Sequence, residues 1–350
     1  MRISILISGS RINYGHDDLY PIYRYKDNLL REAGMRIQLF RDLEKFYKKG
    51  GDVALVECRA FQKGDKGHHI GFLQKLRNTY THVYWLDSVD PSGSDSFWAI
   101  PYVDAFFKKQ LLKDRQAYTI NEYDKSVRNW VDFERLPDQY PHYIPCPEEE
   151  LNKLKVSWNL AFCDYRLLPW GINYFHNYFF GNPKFIDVRK QRIFDYSFRG
   201  TITNEAKKGI GDQRRRSLQV LRQMSHNYAT SFGGKVSKKL YLSELTNIKV
   251  SESPFSWGEL CYRDIESIMS GCILLKPSME HLETFPDIYI KNKTYISIDW
   301  DLHDLKEKMI HVLDNYEDYI MIAEYAQQQL KKTLLDPDIF IQRFTQMMGR

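Results

Sequence analysis

Cysteine is scarce in this 350-residue chain, and its placement does not favour cross-linking. There are five cysteines, an odd number, and no two of them form a C-x-x-C pair. Disulfide-stapled folds and the common structural zinc sites rely on paired cysteines at short spacing, so the sequence predicts neither. Free, buried thiols are the default in a reducing compartment, which favours a cytoplasmic protein.

Long hydrophobic runs are lacking as well. The N-terminal segment, residues 1–8, is apolar but is followed at once by polar residues. It is too short for the apolar region of a signal peptide and far too short to span a bilayer. We therefore predict that any contact with a membrane is peripheral, at the surface of the inner membrane.

Two further absences argue against particular classes of function. There is no G-x-G-x-x-G motif, which disfavours a dinucleotide-binding oxidoreductase. The net charge of +5 is spread along the chain, apart from QRRR at 213–216, and forms no concentrated basic stripe. Such a balance suits an acidic ligand or an anionic membrane surface better than it suits a dedicated nucleic-acid binder.

Apolar runs and helical patterns alternate through the first half of the chain. A strand at 1–8 leads through a Gly and Asn rich loop into a helix that begins near 20–25 and ends at Gly34. A strand at 35–40, a helix at 41–49 and a strand at 52–58 follow. This rhythm is typical of a Rossmann-like half.

Polar residues follow two of the predicted strands. His16 and Asp17 lie in the loop after the first strand, and Asp87 and Asp90 follow the apolar run HVYWL. Ligands of open α/β sheets bind at the carboxyl ends of strands, so these residues are candidates for acceptor contact or general-base work. Turn formation and helix capping explain the same residues without any catalytic role. The Asp87-x-x-Asp90 pair supplies too few oxygens for a metal site, and none is predicted.

Two segments of the first half have more than one interpretation. Residues 102–118 combine aromatic residues with Lys108, Lys109, Lys113 and Arg115, and we predict a helix with one buried and one solvated face, or an anion-binding patch. Residues 158–180 are dense in aromatics. They suit a packed core, a ridge that stacks on sugar rings, or a membrane-facing surface.

The second half begins with an aromatic strand that ends in Phe198-Arg199-Gly200. A Gly-containing loop and a basic helix start follow it. A guanidinium group matches the oxygens of a phosphate, so we predict that Arg199, Arg214 and Arg215 grip a diphosphate near Gly200. A solvated basic helix turn is the alternative for Arg214 and Arg215.

Residues 253–286 show the order of turn, helix and strand signals that is typical of one α/β unit. A turn with Pro, aromatic residues and Gly258 precedes an amphipathic helix, which is predicted to stop at Gly271 before the apolar strand CILL. Glu259, Arg263 and Glu266 lie at the start of this helix. Backbone N–H groups and an arginine there suit an anion, with carboxylates nearby for sugar hydroxyls. A surface helix with Glu–Arg ion pairs is the alternative.

This stretch resembles the donor-binding half of GT-B glycosyltransferases, in particular exostosin-like and family-1-like bacterial enzymes. Their corresponding segment reads S-P-F-G-W-G-E, then an R-D-x-E helix, then a small-residue turn into an apolar strand. The present chain keeps this order as SPFSWGELCYRDIESIMSGC, with Ser256 at a glycine position. Residues 276–286, KPSMEHLETFP, are also similar. The resemblance covers most of the chain and is specific from about residue 194 onward.

The resemblance implies an α/β GT-B fold, with two Rossmann-like domains that face each other across a cleft. The implied division is an acceptor domain at 1–180, a nucleotide-sugar donor domain at 181–335, and a terminal helix at 336–350 that packs back on the first domain. In this family the glutamate at the position of Glu266 holds the donor ribose. The family pattern has seven residues between its two glutamates, whereas six separate Glu259 from Glu266. Glu259 is therefore a donor-side candidate by position alone.

The implied activity is transfer of a sugar from a nucleotide-sugar to a hydroxyl acceptor, with no metal and no further cofactor. The acceptor would be a bacterial surface glycan or its lipid-linked precursor. Arginines and helix N-termini would stabilise the leaving diphosphate, and Asp17, Asp87 or Asp90 would serve as base. Two alternatives stay open. One is a DNA-modifying glycosyltransferase of phage type, and the other is a non-catalytic glycan-binding module that uses residues 158–180.

Overall fold

The computed structural model describes residues 1–10, 17–61, 65–119, 144–166, 182–200, 208–255 and 258–350. The strands in these ranges are β1 (Arg2–Leu6), β2 (Arg36–Phe40), β3 (Gly51–Glu57), β4 (Tyr80–Asp87), β5 (Ala105–Lys108), β6 (Gln110–Leu112), β7 (Leu154–Val156), β8 (Phe194–Arg199), β9 (Thr230–Gly233), β10 (Ile248–Glu252), β11 (Ile273–Pro277), β12 (Leu282–Thr284) and β13 (Ile296–Ile298). The helices are α1 (Tyr20–Ala33), α2 (Leu43–Lys49), α3 (Lys66–Leu76), α4 (Lys208–Met224), α5 (Lys238–Leu245), α6 (Tyr262–Met269), α7 (Leu305–Asp314), α8 (Tyr316–Leu335) and α9 (Pro337–Met347). Short 3-10 turns lie at Cys58–Phe61, Phe97–Tyr102, Arg115–Thr119, Glu148–Lys153 and Leu160–Phe162.

The first half of the chain forms a parallel sheet with the order β2-β1-β3-β4-β5-β7. Alternate residues of β3 enter different cores: Val53 and Leu55 pack on one face, and Ala54 and Val56 pack on the other. Because both faces are covered, the strands read as nearly continuous apolar runs. This arrangement confirms the Rossmann-like first half that the sequence predicts.

The second half forms a separate parallel sheet with the order β13-β11-β10-β8-β9. Its core includes Tyr196 and Val250 from the strands and Leu221 and Met309 from the covering helices. The predicted helix stop at Gly271 is confirmed, with a left-handed φ of 74°. A Cβ at this position would meet the Arg192 guanidinium at 2.6 Å, so the position favours glycine. The two sheets confirm the predicted α/β class.

The predicted helix within residues 102–118 is wrong, because the structure places β5 and β6 there. Lys108 and Lys109 are both buried, and Lys108 forms an ion pair of 3.1 Å with Asp87. The two sequence interpretations place these lysines on a solvated helix face or in an anion-binding patch. Because their charges are neutralised inside the protein, an all-buried strand is possible at this position.

A short antiparallel ladder connects the two halves. Strand β6 of the first half pairs with β12 of the second, with Leu282 opposite Leu112 and Thr284 opposite Gln110. Beside it, Arg115 forms an ion pair with Glu283 at 2.5 Å. The halves therefore share backbone hydrogen bonds as well as side-chain contacts.

The final helix of the chain lies against the first sheet. Phe340 of α9 stacks on Tyr25 of α1, with ring centroids 5.7 Å apart, and contacts Trp158 edge-on at 5.3 Å. The predicted boundary at residue 180 falls outside the described residues. The domain limits 1–180, 181–335 and 336–350 therefore stay a prediction.

Candidate active site

The carboxyl ends of the two parallel sheets carry most of the charged residues that concern function. Glu57, Asp87 and Lys108 end strands of the first sheet, and Arg199 and Glu252 end strands of the second. All strands within a parallel sheet end on the same side. The candidate residues of each half are thus gathered at one edge.

Helix α6 begins with a hydrogen-bonded cap that fixes the position of Arg263. The backbone N–H of Cys261 donates to the Asp264 carboxylate at 3.1 Å. Asp264 is buried, forms an ion pair with Lys276 at 3.1 Å and accepts a hydrogen bond of 2.7 Å from Tyr289. Asp264 therefore has a structural role, because its carboxylate is occupied by these three partners. Arg263 and Glu266, on the same helix, remain candidates for ligand contact.

Arg263 lies next to the end of β8, and its positive charge acts on Arg214. Arg263 donates to the carbonyl oxygen of Arg199 at 2.5 Å, and its guanidinium lies 4.9 Å from the ring centroid of Phe198. Burial, and after it the positive charge of Arg263, lowers the pKa of Arg214. A bound anion would offset both effects. This pair is the strongest positive feature among the predicted donor residues.

The other predicted phosphate ligands differ in their surroundings. The Arg199 guanidinium binds the Glu244 carboxylate in a bidentate manner, at 2.9 and 2.7 Å, so its charge is already matched. Its neighbour Gly200 donates a backbone hydrogen bond of 3.2 Å to Gly233. Arg215 is exposed on α4. Of the three predicted arginines, Arg199 contacts Arg263 through its carbonyl oxygen, and Arg214 is affected by the charge of Arg263.

Glu266 has one of its two oxygens engaged. The hydroxyl of Tyr241 donates to Oε2 of Glu266 at 2.9 Å. The side chain is buried, and burial raises its pKa, while the charge of Lys238 opposes that shift. The hydrogen bond from Tyr241 thus orients the Glu266 carboxyl group, which lies on the same helix as Arg263.

Glu259 serves a different purpose from Glu266. Its carboxylate accepts hydrogen bonds from the Ser92 backbone N–H at 2.9 Å and from the Ser92 hydroxyl at 2.5 Å. Gln110 donates a third at 3.4 Å. A Cβ built on the preceding residue, Gly258, would overlap the carbonyl oxygen of Asp90. Gly258 and Glu259 therefore lie at the contact between the halves. The Glu259 carboxylate is already hydrogen-bonded to residues of the first half.

The carboxylates of the first half divide into structural and accessible groups. Asp87 is fully buried, is paired with Lys108 and accepts a hydrogen bond from Ser94. Asp90 has a side chain that is 48% exposed and lies 3.2 Å from Lys109. Asp17 is buried. Asp90 is therefore the most accessible of the three predicted bases, and His16 lies outside the described residues.

Sequence reasoning missed the charge network around Asp90. Lys109 contacts both Asp90 and Asp18, the latter at 3.4 Å, and Arg59 contacts Asp18 at 3.2 Å and Glu57 at 3.5 Å. Burial raises the pKa of Asp18. The sequence signal was present in the adjacent aspartates of HDD and in the paired lysines of FFKK. Only the fold shows that these residues meet.

Tyr262 places the start of α6 among the first-half carboxylates. Its ring centroid lies 4.2 Å from that of Tyr165. Burial raises the pKa of Tyr262, and the charges of Asp18, Asp90 and Asp17 raise it further. The start of α6 thus packs against Tyr165 of the first half, within range of the charges of Asp17 and Asp90. Asp87 points into the interior of the first half.

Glu252 is a second residue that the sequence did not indicate. It ends β10, is completely buried, and accepts a hydrogen bond of 2.5 Å from Ser217, while its Oε2 atom has no partner among the described residues. Burial raises the pKa of Glu252 to about 7. Because Arg263 is its charged neighbour, this carboxyl group belongs to the wall of the donor side.

Metal-binding geometry occurs elsewhere in the part of the chain that the structure describes. Asp299, Asp301 and His303 place their ligand atoms within 4.8 Å of one another, and all three are exposed. Asp87 and Asp90 do not form such a group among the described residues. No described helix has the length and apolar character needed to cross a membrane.

The chain is similar over its whole length to solved structures. One is an α-glucosyltransferase in complex with UDP-glucose and DNA containing an abasic site, with a TM-score of 0.52, 11% identity and 100% coverage of both chains. Another is HepE of Anabaena in complex with UDP, with a TM-score of 0.50, 9% identity and 99% coverage of both chains. No protein-family model matches the sequence, and no curated protein matches it. The chain has the GT-B fold, as predicted, whereas the exostosin-like and family-1-like resemblance stays a prediction.

Proposed function

We propose that this protein is a metal-independent glycosyltransferase, which transfers a sugar from a nucleoside-diphosphate sugar to a hydroxyl acceptor. The observation that carries this proposal is the position of Arg263 in the first turn of α6, where it donates to the carbonyl oxygen of Arg199 at the end of β8, with Glu266 one turn later on the same helix. The positive charge of Arg263 acts on Arg214 and lowers its pKa, and a diphosphate that binds both groups would offset this repulsion. In this role the arginines supply the charge stabilisation that a metal ion supplies in other transferases.

The donor that we propose to test first is a UDP-sugar. Both similar structures reported above contain UDP or UDP-glucose. In the present chain the diphosphate would lie against Arg214, Arg263 and the first turn of α6. Glu266 would accept hydrogen bonds from the ribose hydroxyls, as the family resemblance implies.

Asp90 is the general base that we propose for the acceptor. Its carboxylate would take the proton of the acceptor hydroxyl as that oxygen forms a bond to the anomeric carbon of the sugar. The bond between the anomeric carbon and the diphosphate oxygen breaks, and its electron pair stays with the leaving diphosphate. Asp87 and Asp17 suit this role poorly because both are buried, whereas the Asp90 side chain is about half exposed.

The acceptor that we propose is a glycan, or the lipid-linked precursor of a bacterial surface polysaccharide, met in the cytoplasm or at the inner membrane surface. DNA is the second candidate acceptor, because the α-glucosyltransferase of similar fold was solved with DNA. The two are separable by duplex binding at several salt concentrations. A DNA-modifying enzyme loses affinity steeply as salt rises, whereas a glycan-specific enzyme shows no duplex binding to lose.

The test of donor binding is a thermal-shift panel with UDP, GDP, CMP, ADP and dTDP. A nucleotide present at about a hundred times its dissociation constant adds roughly 2.7 kcal/mol to the free energy of unfolding. We expect one nucleotide to raise the midpoint of the wild-type protein and to raise that of Arg214→Ala much less. Arg222→Ala removes an exposed arginine from the same helix and is the matched control.

Two results would contradict the proposal. If no nucleotide shifts the wild-type midpoint, the glycan-binding module without nucleotide affinity becomes the better account. If Arg214→Ala and Arg222→Ala respond to the nucleotide as the wild type does, the arginine pair does not hold the diphosphate.

A further inference from the structure

The contact between Tyr241 and Glu266 joins two helices of the second half. Tyr241 lies in the middle of α5, which begins after the cap residue Ser237, and it packs beside the buried residues Leu245 and Ile248. Its hydroxyl reaches α6 and donates to Oε2 of Glu266 at 2.9 Å. A tyrosine held by packing restricts the rotamers of the carboxylate that it contacts.

The second oxygen of Glu266, Oε1, has no hydrogen bond within the described part of the chain. Lys238, one turn before Tyr241 on α5, supplies a positive charge that favours the ionised carboxylate. A buried carboxyl group that is fixed at one oxygen and open at the other is suited to accept hydrogen bonds from hydroxyl groups.

The spacing on α6 relates this carboxylate to the arginine pair. Arg263 and Glu266 are three residues apart, so they lie on the same face, with Cβ atoms roughly 5–6 Å apart. A ligand that binds both must carry an anion and a hydroxyl group about one helical turn from each other. A ribonucleoside diphosphate has this form, with its phosphates at one end of the ribose and its 2′ and 3′ hydroxyls at the other.

We propose that Tyr241 is a positioning residue, which orients Glu266 so that the site selects ribonucleotides over 2′-deoxyribonucleotides. This inference rests on the proposed function, and it adds that deoxyribonucleotide-sugars are poor donors. A site built to bind a hydroxyl discriminates against the analogue that lacks it, because its own polar group is then left without a partner.

The experiment compares UDP with 2′-deoxy-UDP, which differ by one hydroxyl, using calorimetric titration. We expect the wild-type protein to bind UDP about tenfold or more tightly, in line with loss of one hydrogen bond to a charged group. Tyr241→Phe should reduce this preference to within about threefold, mainly by weakening the binding of UDP. Tyr228→Phe, which removes an exposed tyrosine–aspartate hydrogen bond of 2.9 Å to Asp314, is the matched control and should keep the wild-type ratio.

A double-mutant cycle separates positioning from a loss of structure. If Tyr241 acts through the carboxylate, adding Tyr241→Phe to Glu266→Gln should leave the nucleotide ratio of Glu266→Gln unchanged. A Tyr241→Phe protein that keeps the wild-type ratio, or one that loses affinity for both nucleotides equally, would overturn the inference. Equal binding of both nucleotides by the wild type would overturn the inference and leave the proposed function intact. Absence of all nucleotide binding would overturn both.

Discussion

The two halves of this protein differ in how they surround the charged residues of the candidate site. In the first half, Lys109 lies between Asp18 and Asp90, and Arg59 lies between Asp18 and Glu57, so cations and carboxylates alternate. In the second half, Lys276 pairs with Asp264, whereas Arg263 donates to a carbonyl oxygen and lies over an aromatic ring. Neither of these two contacts of Arg263 carries a full negative charge.

This difference indicates which half depends on a ligand. Burying a charge without a partner is expensive, so the first half has met that cost with its own side chains. In the second half we expect a bound anion to offset part of this cost at Arg263, whose hydrogen bond goes to a carbonyl oxygen. We therefore expect substitutions in the first half to affect chemistry or stability, and substitutions at the arginine pair to affect nucleotide affinity.

The largest expected effect is on catalysis. Asp90→Asn removes the proposed base, and kcat for transfer should fall roughly 10²- to 10⁴-fold, the range typical of general-base catalysis. The dissociation constant for UDP should stay within about twofold, because Asp90 belongs to the first half. Steady-state kinetics and calorimetric titration measure the two quantities. Asp27→Asn, at an exposed position on α1, is the control, and wild-type kcat in Asp90→Asn would remove the base assignment.

A stability effect of nearly the same size is expected at Lys109. Lys109→Met leaves Asp18 and Asp90 without their shared cation, and the free energy of unfolding should fall by about 3–5 kcal/mol. Urea denaturation measures the change. Lys48→Met breaks an exposed pair with Glu44 and should cost less than about 1 kcal/mol. Equal effects of the two substitutions would show that the first-half network is not a buried ion-pair system.

Glu252 makes the stability of the second half depend on pH. Its folded-state pKa of about 7 lies above the ordinary value of 4.5, so the folded protein holds a proton that the unfolded chain releases. The resulting stabilisation is complete below pH 4.5, decreases above it, and is lost once the pH passes about 7. Between pH 5 and 8 this loss should be on the order of 2–3 kcal/mol.

Denaturation of Glu252→Gln provides the comparison. The amide cannot titrate, so the free energy of unfolding of the wild type should fall more between pH 5 and pH 8 than that of the variant. The difference between the two proteins isolates Glu252 from the other carboxyl groups that titrate in this range. Parallel pH profiles would mean that Glu252 is already ionised at low pH in the folded protein.

The smallest expected effect concerns the arginine pair itself. Arg263→Ala should weaken UDP binding roughly 10- to 100-fold, which corresponds to loss of a hydrogen bond between charged groups. Calorimetric titration measures the change, with Arg222→Ala as the control. If Arg263→Ala strongly lowers the unfolding midpoint but leaves the dissociation constant for UDP unchanged, Arg263 has a structural role and does not bind the nucleotide.

The sequence predicts the strands and helices of this fold well where local chemistry decides them. Gly34 ends α1 with a left-handed φ of 64°, and Gly271 follows α6 in the same conformation. The sequence prediction fails at β5 and β6. Lys108 and Lys109 suggest a solvated face, because their ion-pair partners, Asp87 and Asp90, lie about twenty residues earlier in the chain. Local patterns carry no information about partners at that distance.

The candidate site follows the same rule. The sequence indicates Arg214, Arg263 and Glu266, and their roles stay predictions. It does not reveal that Arg199 is matched by Glu244, or that Glu259 is bound by Ser92, since both contacts depend on the packing of distant segments. Glu252 was missed because an acidic residue at the end of a strand gives no local sign of its burial.

The ladder between β6 and β12 has a consequence for how the chain folds. A continuous hydrophobic core runs across it and includes Leu111 from the first half and Phe255 and Leu282 from the second. Neither half can complete this edge alone, because each would expose an unpaired strand and part of an apolar surface. The protein should therefore lose both halves in one cooperative transition, and neither half should refold when expressed as an isolated fragment.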